Sequence, residues 1–126
     1  MSDSSSGTGS SALGPQRVRE LLAAERADTR AQIAALSRDY DGIIEANALV
    51  ASDDEHDPDG SSTAFERAHV AALLKRAEEQ LQELDRASER LESGGYGRCA
   101  RCGEPIPTER LEARPAAATC VPCATR

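Results

Sequence analysis

The chain has 126 residues, enough for about one domain, and only 2% of them are aromatic: Tyr40, Phe65 and Tyr96, with no Trp. So little bulky apolar material excludes a deep pocket for a small substrate. The 15 basic and 22 acidic residues leave a formal net charge of -7, which excludes a general phosphate-backbone binder.

The first 14 residues are dominated by Ser and Gly, with Asp3 their only charged side chain, and read as a disordered tail at 1–14. They contain neither the basic nor the apolar region of a secretion signal. No later stretch approaches the roughly 18 apolar residues of a membrane span, so a soluble cytoplasmic protein without membrane contact is expected.

Pro15 suits the first turn of a helix, where a missing N–H costs little. From there to about Val50 no proline interrupts the chain. Leu22, Leu36, Ile43 and Val50 are separated by multiples of seven, and Ile33 and Tyr40 fill the alternate seam position. Thr29 and Asn47 make the stripe imperfect, and Gly42 lowers its helix propensity.

A second run, from about Ser61 to Glu92, repeats the pattern with Val70, Ala77, Leu84 and Leu91 seven apart and Leu74 and Leu81 between them. Ser61, Ser62 and Thr63 are candidate N-caps, Thr63 with Glu66 three residues later having the form of a capping box, and Gly94 and Gly95 end the run. Each helix would be roughly 50 Å long and too thin to bury its stripe alone. The connection from Ala51 to Gly60 contains Pro58 and Gly60, turn residues that favour an antiparallel hairpin over two helices in an intermolecular coiled coil.

The two helices are nearly balanced in charge and read as solvated faces. The connection is not balanced. It holds Asp53, Asp54, Glu55, Asp57 and Asp59 without Lys or Arg, so the acidic excess gathers at the hairpin tip.

All four cysteines lie near the C-terminus, as Cys99-x-x-Cys102, seventeen intervening residues, and Cys120-x-x-Cys123. This is the spacing of a four-thiolate zinc site, in which each pair forms a tight knuckle. Gly103, directly after Cys102, supplies the positive φ such a knuckle needs. A pair of disulfides is the weaker reading, because nothing marks the chain for secretion. A thioredoxin-like redox pair lacks its βαβ surroundings.

Four thiolates close the coordination shell, so one structural Zn²⁺ is expected, with Ile106, Leu111 and Val121 as apolar anchors and no enzymatic role. From Tyr96 onward five arginines face three glutamates, and the charge of a four-thiolate zinc site cancels that excess. Direct sequence-specific DNA binding is therefore not expected. The expected fold is mainly α: an antiparallel coiled-coil hairpin at 15–95, with its acidic tip at 51–60, and a small four-cysteine zinc finger at 96–126.

The run from Tyr96 to Cys123 resembles the C4 zinc finger of the DksA/TraR family, matching at Gly103, Ile106, Arg110, Leu111, Ala113, Pro115 and Ala117 besides the four cysteines. With the hairpin before it, the resemblance covers roughly residues 15 to 123. It implies a protein that binds core RNA polymerase and inserts the hairpin into the secondary channel; a monomer is expected. The acidic tip would then modulate initiation near the active centre, often together with the alarmone guanosine tetraphosphate.

In that family part of the alarmone site comes from a C-terminal helix, and this sequence ends three residues after Cys123. The best-known tip of the family has two aspartates separated by two residues and followed shortly by Ala. Asp54 and Asp57 keep the spacing without the Ala. Two other roles fit the same residues: a transcript-cleavage accessory factor whose tip carboxylates hold Mg²⁺, and a zinc-stabilised adaptor between proteins.

Overall fold

A computed structural model describes residues 13–53 and 60–125. Four helices follow in chain order: α1 (Pro15–Asp53), α2 (Gly60–Ser93), α3 (Thr108–Ala113) and α4 (Val121–Ala124). Among the described residues there is no strand, only an isolated antiparallel bridge between Arg98 and Pro105. No helix among them is long and apolar enough to cross a membrane.

Both long helices outrun the lengths expected from their stripes. Once a helix has nucleated, each added residue gains a hydrogen bond at little further entropic cost. Accordingly α1 continues through Ala51 and Ser52 to Asp53, and α2 already begins at Gly60. Ser61, Ser62 and Thr63 thus lie inside α2 rather than at its cap, and no capping box forms there. The acidic residues Asp54, Glu55, Asp57 and Asp59 lie outside the described residues, as does the segment 1–12; Asp53 is the last residue of α1.

The far end of α2 stops as the sequence suggests. Gly94 takes φ +90°, and the N–H groups of Gly94 and Gly95 donate to the carbonyls of Leu91 and Arg90 at 3.4 and 2.8 Å. This is a Schellman cap, and only glycine adopts its left-handed position without strain.

The chain divides into two compact units. One contains 13–27 with 82–125, and the other the described residues of 28–81. In the first, Val18 and Leu22 of α1 are buried with Leu84 and Ala87 of α2. Arg26 pairs with Asp85 at 3.0 Å and Arg19 with Glu92 at 3.5 Å. Advancing along α1 therefore means retreating along α2, so the helices pack antiparallel.

In the second unit Val70, Ala77 and Thr29 are buried, while Ile33, Leu36, Tyr40, Ile43, Leu74 and Leu81 are half-buried. A seam that buries a threonine at the expected position confirms the imperfect stripe. Arg38, Asp39, Gly42, Ile43 and Ala46 of α1 face Thr63, Glu66 and Val70 of α2 across a shallow groove. Phe65, the most apolar of the three aromatics, is 77% exposed.

These burials predict how substitutions rank in urea unfolding of the zinc-loaded chain. Leu84→Ala, which empties a site with 0% exposure, should cost about 3 kcal/mol. Phe65→Ala should change stability by no more than about 0.5 kcal/mol. A Cβ on the helical Gly42 meets nothing within 4 Å, so Gly42→Ala should stabilise by about 1 kcal/mol.

Candidate metal centre

Two backbone turns carry the cysteines. In the first, Gly97 and Gly103 take φ +91° and +79°, conformations that side chains with a Cβ resist. Cys99 N–H donates to Glu104 O at 2.8 Å, Gly103 N–H to Cys99 O at 2.9 Å and Ile106 N–H to Gly97 O at 2.7 Å. The turn so closed also points the N–H groups of Arg101 and Cys102 at Cys99 Sγ, at 3.4 and 3.5 Å.

The second turn is the start of α4. Cys120 occupies its N-cap, Pro122 lies in its first turn, and Ala124 N–H donates to Cys120 O at 2.9 Å. Cys123 is buried from within this short helix. Ala100 N–H donates to Ala118 O at 2.7 Å and joins the two turns.

All four sulfurs consequently lie within 4.8 Å of one another, and all four cysteines are free. Cys102 Sγ is 3.7 Å from Cys120 Sγ, far beyond the roughly 2.05 Å of a disulfide. It is close to the ~3.8 Å sulfur spacing of a tetrahedron with ~2.3 Å metal bonds. Four soft donors within 4.8 Å of one another fit one Zn²⁺, and four thiolates leave it no open position, which makes the ion structural.

The thiols are strongly unequal before a metal is considered. Burial raises Cys99, but hydrogen bonds from the backbone of Cys102, Cys120 and Arg101 outweigh it and bring the group down to about 5. Hydrogen bonds with Cys120 and Cys99, together with burial, push Cys123 up to about 12. Cys102 is also raised: its side-chain bond with Cys99 and its burial outweigh the backbone bond that lowers it. Cys99 holds the negative charge while Cys102 and Cys123 keep their protons. A divalent cation removes this conflict by taking all four as thiolates.

Behind the sulfurs, Cys99 and Cys123 pack with Ile106 and Leu111, the latter from α3. Ile106 and Leu111 are the anchors expected from sequence. Val121 is not: it is 51% exposed, because α4 turns Cys123 inward and leaves its first residue outside.

Sequence reasoning missed the side chains that hold the second turn by its backbone. Arg110 Nε donates to Thr119 O at 2.9 Å, directly before Cys120, and the Tyr96 hydroxyl donates to Pro115 O at 2.8 Å. Arg90, from the last turn of α2, reaches Ala116 O and Ala117 O at 3.5 Å. Burial raises the Tyr96 phenol, partly offset by Arg90, so it stays a neutral donor. In the sequence Arg110 stands out only as a match to the family finger, and Tyr96 and Arg90 only as long polar side chains near a loop rich in Ala and Pro, which leaves carbonyls as the available acceptors.

Residues 94–126 match the prokaryotic dksA/traR C4-type zinc finger. The C-terminal finger is of the DksA/TraR type. The chain's similarity to known proteins extends beyond the finger. It is 38% identical over 80 residues to the uncharacterised protein YteA of Bacillus subtilis, covering 64% of this chain and 32% of that one. It is 41% identical over 59 residues to the RNA polymerase-binding transcription factor DksA of Caulobacter vibrioides, covering 47% of this chain and 42% of that one. The chain thus spans less than half the length of these relatives. The structure of the transcription factor DksA2 from Pseudomonas aeruginosa matches with a TM-score of 0.72 and 29% identity, over 89% of this chain and 81% of that one.

For this DksA/TraR finger, chelation and calorimetry provide the test. The purified chain should carry one zinc per molecule, and Cys99→Ser should abolish stoichiometric zinc by a colorimetric chelator assay. At pH 7 Cys102 and Cys123 begin protonated, so each gives up a proton when the metal binds. Titrations in buffers of different ionisation enthalpy should show at least those two protons released, and zinc affinity should fall as pH falls.

Proposed function

We propose that this chain is a DksA/TraR-family protein, a non-enzymatic transcription regulator of the cytoplasm that binds RNA polymerase directly. It inserts its helical hairpin into the secondary channel and brings the acidic connection near the active centre, where it modulates initiation. The observation that carries this reading is the likeness to DksA2 over 89% of the chain. A finger of 33 residues at 94–126 cannot account for that span, so the long helices share the likeness.

Charge supports the same reading. The helices are nearly neutral, and Asp53, Asp54, Glu55, Asp57 and Asp59 lie together without a basic neighbour in the connection. Such a segment is repelled by nucleic-acid phosphates and attracted to basic side chains or to hydrated Mg²⁺ in a protein channel. The first contact is then with protein rather than with DNA. The finger packs with the ends of α1 and α2 in one unit, an arrangement that gives the helix pair a firm base.

A pull-down against core RNA polymerase tests the proposal. The chain should be retained, and a competitor that occupies the secondary channel should displace it. Replacing Asp54, Asp57 and Asp59 by Asn should leave retention intact and remove the effect on initiation in a purified transcription assay. Unchanged regulation by that variant refutes the role of the acidic tip, and failure to bind core polymerase refutes the proposal as a whole.

A further inference from the structure

Leu13, apart from Met1 the one large apolar residue of the Ser/Gly-rich N-terminal stretch, is half-buried. It sits just ahead of α1. The Gly14 carbonyl accepts Val18 N–H at 3.0 Å, and Leu13 packs on the cluster that contains Val18. An apolar residue two positions before the helix that packs on the cluster holding the fourth helical residue has the placement of a hydrophobic staple, which fixes the angle at which the chain enters.

The staple has a second partner. Leu13 also packs on the cluster of Cys99, Ile106, Leu111 and Cys123, the apolar backing of the metal centre. Only Tyr96 shares this double membership among the described residues. Tyr96 is tethered by its bond to the Pro115 carbonyl, whereas Leu13 is held by apolar packing alone. Together they line a cleft of about 230 Å³ that reaches Ile106 and Leu111 beside the first cysteine turn.

We infer that Leu13 is a clasp for the zinc finger: it closes this cleft over Ile106 and Leu111, holds the cysteine turns against the ends of the long helices, and slows metal loss. The physical reason is local. A four-thiolate site releases its ion when a turn opens far enough for water or a competing ligand to reach a sulfur. Removing apolar backing lowers the cost of that opening without requiring the helices to unfold. Leu13 touches no metal ligand through a polar atom, so its role is one of positioning.

The test uses the full zinc-loaded chain and an excess of a chromophoric chelator, with the rate of zinc transfer as the readout. Leu13→Ala should release zinc about tenfold faster, the size expected for truncating a partly buried leucine that must stay seated while the turns are closed. Helical circular dichroism should be unchanged. Leu13→Met should restore slow release, because its volume and polarity are similar. Leu84→Ala serves as the control for general destabilisation, since Leu84 is buried in the helix cluster and absent from the cysteine cluster. Wild-type release from Leu13→Ala overturns the inference. So does equal acceleration in Leu84→Ala, which would mean that Leu13 acts only through global stability.

Discussion

Four sulfurs gathered within 4.8 Å cannot all be charged without a cation, and cannot all be neutral without leaving Cys99 in a field that favours its thiolate. That conflict, relieved by one Zn²⁺, underlies the C-terminal fold. The segment from Tyr96 onward has few apolar side chains, and among the described residues one backbone–backbone hydrogen bond, from Ala100 N–H to Ala118 O, joins its two cysteine turns. A metal that joins residues 99 and 123 supplies a cross-link where hydrophobic burial is too small to do so.

The consequence spreads beyond the finger because two side chains belong to both apolar clusters. Leu13 and Tyr96 lie between the cysteine backing and the group formed by Val18, Leu22, Leu84 and Ala87. Arg90 reinforces the join from the last turn of α2, where a cation also complements the helix dipole. The finger and the helix ends therefore form one packed unit, within which the Schellman cap at Gly94 and Gly95 redirects the chain from helix into finger.

Legibility varied with the range of the interaction. Heptad spacing located Val70, Ala77 and Leu84, all buried, because a two-helix seam repeats along the chain and every repeat adds to the signal. The cysteine spacing was readable because metal geometry restricts it. Helix ends were less legible: α1 overran its stripe to Asp53, since a helix once nucleated adds residues at little further entropic cost. Val121 looked like an anchor by hydropathy alone, but the direction in which a four-residue helix faces is not encoded by any period.

The sequence by itself determined the two helices, the glycines at which the chain turns with positive φ, the four ligands and the acidic connection. Each is a local or periodic property, set by propensity, spacing or charge. Only the tertiary structure decided what stands behind the ligands: Leu13 on both clusters, Arg110 on the Thr119 carbonyl, Tyr96 on the Pro115 carbonyl. Those partners are separated in sequence and include backbone carbonyls, which every residue possesses. A carbonyl acquires a particular donor only when folding brings that donor within reach.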